Sequence, residues 1–333
     1  MIQTSILGNL DRRLALGLLR LCTEGRPSEN DAVRLLHIAL DAGIRILDTA
    51  DVYSLDHKDL HYGERLVRRV LAEWSGPKDE VRVLTKVGLA RPKGRWVPNG
   101  RPKHLREAVD RSLLALGVDR LFVVQLHVRD PGVPFEETLA ALAEIRNQGK
   151  IAHLGLCNVS PLEIRQAQRH FPVAVVQDEL GISARSSATD GTVHITGEEK
   201  IPFLAYRPLG GVEKAAKLAK NRVLAPLAER HGRTPAEMAI AAVLAAGPHV
   251  IPLIGATRPE SIASSLRALD LRLDSGDRTA LDLKYSFAPS PEALAAAAPI
   301  TVPADLPALP KKIGKAPEVV VLMGIQGAGK SSL

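Results

Sequence analysis

Residues 151–177 have the sequence IAHLGLCNVSPLEIRQAQRHFPVAVVQ, which contains a complete strand–helix–strand unit. Ile151 to Cys157 and Val173 to Gln177 are short apolar runs rich in Val, Ile and Leu, as is typical of strands buried on both faces of a parallel sheet. Between them, Pro161 to His170 carries apolar residues at helical spacing. The unit therefore predicts two parallel strands joined by a helix.

The same alternation extends in both directions along the chain. Apolar runs predict further strands at Ile44 to Leu47, Val81 to Lys86, Arg120 to His127, Phe203 to Tyr206 and His249 to Ile254. Helical spacing predicts helices at Asn30 to Asp41, His61 to Glu73, Pro102 to Leu116, Pro134 to Gln148, Lys217 to His231, Pro235 to Ala246 and Pro259 to Leu269. About eight alternations over roughly 270 residues favour an α/β fold of the (β/α)8 TIM-barrel type. A doubly wound open sheet is the alternative, although the chain has no GxGxxG after its first predicted strand.

Composition excludes several classes of protein. The chain has 333 residues, 45% of them apolar, which is enough to bury a large core. Its 44 Lys and Arg and 37 Asp and Glu give a net charge of +7, but the signs are mixed along the chain, which favours an enzyme-like surface over a nucleic-acid arm. No apolar run approaches the roughly 18 to 20 residues of a membrane span, and the N-terminus lacks an export pattern. Because two cysteines, Cys22 and Cys157, cannot form a disulfide framework, we expect a cytoplasmic protein.

The composition changes after Tyr285, which predicts a domain boundary. Residues 1–285 are expected to form the barrel. Residues 286–317 hold 7 of the 23 prolines in 32 positions, and this Pro/Ala-rich stretch is expected to be an extended linker without regular helix or strand. Residues 318–333 are expected to begin a further domain, with a strand at Glu318 to Met323.

Residues 324–331, GIQGAGKS, match the G-x-x-x-x-G-K-[ST] pattern of a phosphate-binding P-loop. Gly324 and Gly329 give the loop its shape, while Lys330 and Ser331 are the residues that would contact the outer phosphates and Mg²⁺. The motif predicts the start of a truncated P-loop NTPase or kinase domain. We therefore expect ATP and Mg²⁺ to bind only in a full-length protein.

Four polar residues follow or end apolar runs in the barrel region. The run GIRILDTADVY, residues 43–53, contains Asp48 and Tyr53, VRVLTK ends at Lys86, and LFVVQLH ends at His127. Taken singly, each residue could be a helix cap, a surface residue or part of the core. In a parallel barrel, however, the carboxyl ends of the strands meet at one mouth, so these side chains are expected to converge there.

Such a set has the chemistry for carbonyl reduction. A hydride delivered to a carbonyl carbon produces an alkoxide, which needs a proton donor, and Tyr53 could supply the proton. The ammonium of Lys86 would lower the phenol pKa from its reference value near 10, and Asp48 would keep a desolvated Lys86 charged. His127 could hydrogen-bond the substrate oxygen and stabilise its developing charge.

GIRILDTADVY, LTK and QLH, in this order and at these separations, resemble the motifs of the aldo-keto reductases over about residues 10–285. The resemblance implies that Asp48, Tyr53, Lys86 and His127 form the catalytic tetrad of that family. It also implies a small-molecule aldehyde or ketone as substrate and NADPH as cofactor, with NADH as an alternative.

The resemblance further implies a set of cofactor contacts. Asn158 and Gln177 stand at the positions that hold the nicotinamide carboxamide, and Cys157 stands where Ser is usual. Tyr206, in LAYRPLGG, stands at the ring-stacking position. The residues implied along the pyrophosphate are Arg207, Leu209 and Gly210.

The segment IPLIGATRPESIASSL resembles the adenosine-phosphate segment of the family. Thr257 and Arg258 would contact the phosphate, and Ser265 would contact the adenine, although Ser264 and Ser265 stand where Glu and Asn are common. The choice between NADPH and NADH stays open for this reason. Residues 181–200 also depart from the family pattern, and an irregular crossover is expected in place of an amphipathic helix.

Two long loops, residues 54–60 and 90–101, are expected to border the substrate pocket. Trp96 in the second loop is either a wall of the pocket or a lid without substrate contact. His57 and His61 lie near acidic residues, but the spacing is that of a flexible loop, and we predict no metal site.

Three hypotheses for function follow from these patterns. The leading one is an NADPH-dependent reductase of aldehydes or ketones with Tyr53 as the proton donor. The second is a cofactor-sensing module that regulates a fused P-loop ATPase or kinase, and the third leaves the barrel as a scaffold for it. We expect neither nucleic acid nor a membrane as a partner, and the sequence leaves the oligomeric state open.

Overall fold

A computed structural model of the protein describes residues 6–8 and 12–297. In this part of the chain, eight parallel strands close into a barrel in the order β1-β10-β9-β8-β7-β6-β3-β2, and β4 and β5 form a separate antiparallel hairpin. The predicted (β/α)8 barrel is confirmed. The strands are β1 Ala15–Gly17, β2 Ile46–Asp48, β3 Arg82–Val87, β4 Leu89–Ala90, β5 Val97–Pro98, β6 Leu121–Leu126, β7 Ile151–Cys157, β8 Val173–Glu179, β9 Phe203–Tyr206 and β10 Val250–Ile254.

The helices cover the outside of the barrel and are delimited by local capping. Ser160, Thr234 and Asp274 each form a capping box with the third residue of the following helix, which satisfies two backbone N–H groups at once. The helices are α1 Leu19–Cys22, α2 Glu29–Asp41, α3 Tyr62–Glu73, α4 Pro102–Leu116, α5 Phe135–Asn147, α6 Pro161–Gln168, α7 Ser186–Thr189, α8 Thr192–Glu198, α9 Val212–Lys217, α10 Leu224–Arg230, α11 Pro235–Ala245, α12 Pro259–Arg267, α13 Ser275–Tyr285 and α14 Pro291–Ala297. Short 3-10 turns lie at Lys78–Glu80, Pro92–Gly94, Leu218–Lys220 and Ala268–Asp270.

Two layers of side chains fill the inside of the barrel, one apolar and one polar. Because side chains alternate along a strand, residues two apart on one strand point the same way. Two residues beyond Ile46, Leu84, Val123 and Val175 of the apolar layer come Asp48, Lys86, Gln125 and Gln177, all buried. The apolar layer consists of Leu7, Ala15, Ile46, Leu84, Val123, Val175, Leu204, Ile251 and Leu253.

Several elements were not predicted from the sequence. β1 has only three residues, which is too short for an alternation to be visible. The predicted helix over residues 217–231 begins earlier and is broken into α9, a 3-10 turn and α10. α13 was not predicted either. Residues 181–200 form the expected irregular crossover, with the short helices α7 and α8 separated at Gly191, whose φ is +90°.

The expectation of no regular structure after Tyr285 holds for residues 286–290 and was wrong for residues 291–297, which form α14. Ser290 donates its backbone N–H to the Thr189 carbonyl at 3.0 Å, Phe287 packs against the core, and α14 follows. Pro291 occupies the first turn of α14, where its missing N–H is tolerated, and the Ala-rich run after it favours a helix. The compact unit therefore extends to Ala297.

The remaining C-terminal expectations fall on residues that the structure does not describe. These are the rest of the predicted linker, residues 298–317, and the predicted P-loop domain, residues 318–333, with Gly324, Gly329, Lys330 and Ser331. Across residues 6–8 and 12–297, no helix combines the length and the apolar character that a membrane crossing requires.

Candidate active site

Lys86 is the centre of the polar layer at the carboxyl ends of the strands. Its side chain is fully buried, and its Nζ lies 2.5 Å from Asp48 Oδ2, 2.9 Å from the Thr49 carbonyl oxygen and 3.3 Å from the Tyr53 hydroxyl. A buried ammonium is tolerated only when its donors are satisfied, and these three acceptors satisfy them. The structure thus brings together three of the four predicted catalytic residues.

Asp48 is held by two amides in addition to Lys86. Its Oδ1 accepts hydrogen bonds from Gln125 Nε2 at 3.1 Å and from Gln177 Nε2 at 2.8 Å. Gln125 was missed from the sequence, although a polar residue inside the apolar run LFVVQLH, paired in register with Lys86, is a usable signal. Gln177, expected at the nicotinamide, is only 2% exposed and serves the carboxylate in this structure.

The protonation of the cluster differs in part from the expectation. Burial disfavours the Lys86 ammonium, but the charges of Asp48 and then Tyr53 outweigh it, so the pKa of Lys86 is raised. Burial raises the pKa of the Tyr53 phenol well above its ordinary value, and the opposing effect of Lys86 is too small to reverse this. The expected net lowering of the Tyr53 pKa was therefore wrong for the protein alone.

His127, the fourth predicted residue, joins the cluster through its ring. Its ring centroid lies 5.9 Å from that of Tyr53, edge to face. Burial, and then the charge of Lys86, lower the pKa of His127 well below its ordinary value, so the imidazole is neutral near pH 7. A neutral imidazole can donate one hydrogen bond to a substrate oxygen without adding a second positive charge.

The β4–β5 hairpin brings Trp96 to the same place. The Trp96 ring centroid lies 6.2 Å from that of Tyr53 and 6.4 Å from that of His127, and the Arg91 guanidinium lies 3.9 Å above the Trp96 ring. Arg91 also donates to the backbone carbonyl of Leu55 at 2.8 Å, which joins the two mouth loops. Trp96 therefore borders the mouth beside two of the predicted catalytic residues, and its role as a wall of the substrate pocket stays a prediction.

Asn158 and Tyr206 form a second polar group beside the first. Asn158 has a left-handed backbone with φ +57°, and its Nδ2 donates to the His127 carbonyl at 2.9 Å. The Tyr206 hydroxyl donates to Asn158 Oδ1 at 2.7 Å and is half-buried. Cys157 is buried between them and Gln177, with its thiol 3.3 Å from Asn158 Nδ2.

The turn after β9 carries the residues expected along the pyrophosphate. Arg207 is exposed with φ +51°, and Gly210, with φ +76°, donates its N–H to the Arg207 carbonyl at 2.7 Å. A Cβ at Gly210 would clash with the Ser183 hydroxyl, so only Gly fits here. Leu209 is half-buried and packs against the core below the turn.

The start of α12 carries the residues expected at the adenosine phosphate, and the structure brings two of the three to the surface. Thr257 is half-buried and Arg258 is exposed, as a phosphate contact requires. Ser265 is buried, however, and its hydroxyl donates to the Ser261 carbonyl at 2.8 Å, while Ser264 donates to Glu237 at 2.9 Å. The expected contact of Ser265 with adenine was therefore wrong, because the hydroxyl is used inside its own helix.

These groups fit a nicotinamide dinucleotide. The ends of β7 and β9 offer amide groups and an aromatic ring at Asn158 and Tyr206, and Arg207 and Arg258 are exposed cations on loops that follow β9 and β10. A planar aromatic face suits a nicotinamide ring, and guanidinium groups suit phosphates.

Asp178, at the end of β8, gives a prediction about stability. Burial raises its pKa to about 6, and the charges of Asp190 and Glu179 add to this effect. Because the folded-state pKa exceeds the unfolded value, the contribution is favourable below about pH 4 and is lost as the pH rises through about 6. We expect Asp178→Asn to gain about 1–2 kcal/mol in unfolding free energy relative to the parent between about pH 4.5 and about pH 7.5, a value reduced for partial exposure.

Urea unfolding at the two pH values measures this difference. Asp282→Asn, which changes an exposed carboxylate, is the matched control and should show no such pH-dependent gain. A gain for Asp178→Asn that is equal at both pH values would contradict the prediction.

Comparisons with known proteins identify one family and several relatives. The Aldo/keto reductase family profile matches residues 13–285. Pyridoxine 4-dehydrogenase of Escherichia coli (strain K12) is 30% identical over 281 residues, covering 81% of this chain and 93% of the relative. Probable aldo-keto reductase 1 of Glycine max is 29% identical over 279 residues, covering 75% and 78%.

Solved structures give the same fold. The glycerol dehydrogenase of Gluconobacter oxydans superposes with a TM-score of 0.70 at 25% identity, covering 88% of this chain and 94% of that chain. An aldo-keto reductase from Klebsiella pneumoniae, solved in complex with NADPH, gives a TM-score of 0.67 at 24% identity over 82% and 91%. With the family profile matched from the first strand to the end of α13, the chain belongs to the aldo/keto reductase family of NAD(P)H-dependent oxidoreductases.

Proposed function

We propose that this protein reduces the carbonyl group of a small aldehyde or ketone with a hydride from NADPH, and that Tyr53 donates the proton. The observation that carries the proposal is the position of Lys86, whose buried ammonium contacts both Asp48 and the Tyr53 hydroxyl at the barrel mouth. A phenol in contact with a permanently charged ammonium is suited to release a proton and remain as a stabilised phenolate.

Each side chain at the mouth has a separate role in the proposed reaction. When bound, the reduced nicotinamide supplies the hydride to the carbonyl carbon. Tyr53 transfers its hydroxyl proton to the carbonyl oxygen, and Lys86 stabilises the charge that Tyr53 acquires. His127, being neutral, donates a hydrogen bond that orients the same oxygen, and Asp48 keeps Lys86 charged throughout. The product is an alcohol, with one hydride and one proton added.

We assign the cofactor to the face formed by β7 to β10. Asn158 would bind the carboxamide and Tyr206 would stack on the ring, while Gln177 contributes through Asp48. Residues proposed along the phosphates are Arg207, Leu209, Gly210, Thr257 and Arg258. The NADPH complex of the Klebsiella pneumoniae protein supports NADPH as the cofactor, and the relatives named pyridoxine 4-dehydrogenase and glycerol dehydrogenase support an oxidoreductase reaction.

Arg258 gives a prediction about the choice of cofactor. If its exposed guanidinium binds the phosphate that only NADPH carries, Arg258→Ala should weaken NADPH about tenfold or more and leave NADH nearly unchanged. Titrations followed by thermal shift measure both affinities. Arg278→Ala, which removes an exposed arginine elsewhere, is the control, and an equal loss for both cofactors would reject the role of Arg258.

The function itself is tested by the loss of NADPH absorbance with a panel of aldehydes and ketones. Turnover supports the reductase. Tight NADPH binding with negligible turnover over the whole panel would replace it with the cofactor-sensing hypothesis, and failure to bind either cofactor would favour a scaffold.

Two further expectations stay proposals. Cys22 and Cys157 are both free and buried, which fits a reducing compartment such as the cytoplasm. The P-loop pattern at residues 324–331 keeps ATP and Mg²⁺ as proposed ligands of that segment, which lies outside the residues matched by the family profile.

A further inference from the structure

The loop that carries Trp96 has a one-sided charge. Residues 89–101, LARPKGRWVPNGR, contain four cations and no acidic residue. Lys93 and Arg95 are exposed on the turn of the β4–β5 hairpin, and neither forms an ion pair with any residue in 6–8 or 12–297. Their charges are therefore free to act on a solute entering the mouth.

This charge is held close to the reacting groups. Trp96 directly follows Arg95 and lies 6.2 Å, between ring centroids, from Tyr53. The hairpin cannot move freely, because the buried Arg91 stacks on Trp96 and donates to the carbonyls of Ser54 at 3.2 Å and Leu55 at 2.8 Å. A substrate whose carbonyl reaches Tyr53 therefore lies near Trp96, and the same hairpin carries Lys93 and Arg95.

The neighbouring acids do not cancel these cations. Asp59 in the adjacent loop is already paired with Arg26 at 2.8 Å and with Arg65 at 3.0 Å. Asp130, in the loop after β6, accepts the backbone N–H groups of Gly100 and Gly132 at 2.9 and 2.8 Å. Asp56, in the same loop as Asp59, acts through its charge on the buried Arg91.

The cations also lie apart from the proposed cofactor face. The hairpin follows β3, whereas Arg207 and Arg258 follow β9 and β10 on the other side of β1 and β2 in the barrel order. One group of cations can thus serve the cofactor phosphates and the other the substrate.

We propose that the preferred substrate is an anionic aldehyde or ketone, with a carboxylate or phosphate at the end remote from its carbonyl. This inference rests on the proposed reductase function and names its substrate class. The body of the substrate packs against Trp96, and its anionic group is attracted by Lys93 and Arg95. Exposed charges act mainly on encounter and on kcat/KM, and salt screens them.

The test compares pairs of aldehydes in which one member is anionic and the other is neutral. The values of kcat/KM are measured for para-formylbenzoate against its methyl ester, and for para-formylphenyl phosphate against para-methoxybenzaldehyde. We expect the anionic member of at least one pair to be favoured about tenfold at low ionic strength, with the advantage shrinking as salt is added. The two pairs distinguish a carboxylate from a phosphate preference.

A charge-reversal variant locates the effect. Lys93→Glu combined with Arg95→Glu should abolish or reverse the anion preference and leave kcat/KM for the neutral ester within about twofold. Arg278→Glu, at the exposed position used above, is the control and should keep the preference. An unchanged KM for NADPH in the double variant excludes an effect through the cofactor.

Three results would overturn the inference. The first is equal kcat/KM values for the two members of both substrate pairs. The second is an anion preference that survives in the Lys93→Glu, Arg95→Glu double variant. The third is a raised KM for NADPH as the sole effect of that double variant. Turnover of the neutral ester keeps these outcomes separate from failure of the proposed function, which would abolish reduction of every member of both pairs.

Discussion

Tyr53→Phe is expected to reduce NADPH-dependent aldehyde reduction about a thousandfold, the scale of a lost general acid. The hydroxyl accepts a hydrogen bond from the Lys86 ammonium at 3.3 Å, and Phe removes the hydroxyl while keeping the ring over which Lys86 lies. The phenyl ring keeps the edge-to-face contacts with Trp96 and His127 and remains buried, so the fold should be unaffected. Steady-state rates with a neutral aldehyde measure the loss.

Tyr62→Phe is the matched control. Tyr62 is as buried as Tyr53, at 7% exposure, but its ring packs under Arg26, away from Lys86. The control should keep its rate, and both variants should keep the thermal shift with NADPH. A Tyr53→Phe enzyme that turns over at near the parent rate would show that another group supplies the proton.

The raised pKa of Tyr53 bears on the pH dependence of the rate. Since burial raises the pKa of the phenol in the protein alone, Tyr53 stays protonated through the neutral range and is ready to donate. A net lowering of the Tyr53 pKa, expected from the sequence, would require Lys86 to be the dominant influence on the phenol. Burial dominates, because both groups lie in the same desolvated layer, and the charge of Lys86 is shared with Asp48.

The convergence of the four predicted catalytic residues was accessible to sequence reasoning for a geometric reason. Parallel strands closed into a barrel place their carboxyl ends together, so polar residues that end apolar runs must meet. Asp48 and Lys86 were found this way. Gln125 ends no run, and its place beside Asp48 follows only from the two-residue period and the register with Lys86.

The hydrogen-bond partners of individual side chains were harder to predict from the sequence. Ser265 and Gln177 were assigned to the cofactor by position, yet one hydroxyl turns to its own helix and one amide turns to Asp48. Both hydrogen bonds depend on which acceptor lies nearest in the folded structure. Helix α14 was not predicted because the high proline density of this segment disfavours helices in general. Pro291, however, stands in the first turn, where a helix tolerates proline.

Lys86→Met is expected to be costly to both stability and activity. The substitution keeps the length of the side chain but leaves the Asp48 carboxylate buried with only the amides of Gln125 and Gln177 as donors. Breaking a buried ion pair from one side typically costs about 3–5 kcal/mol of unfolding free energy. The rate should fall about a hundredfold or more, because the Tyr53 phenolate loses its counter-charge. Urea unfolding and steady-state rates measure the two losses.

The double variant Asp48→Asn with Lys86→Met separates these two losses. With both charges removed, no ion of this pair stays buried without its partner, so a large part of the lost unfolding free energy should return, while the rate should stay low. A purely structural Lys86 would give the opposite result, since restored stability would then restore turnover. The Asp48→Asn change keeps an amide oxygen that can accept from Gln125 and Gln177, so the surrounding amides need not move, and the comparison isolates the ammonium itself. If the double variant were as active as the parent, the electrostatic role of Lys86 toward Tyr53 would be rejected, whatever rate the Tyr53→Phe variant shows.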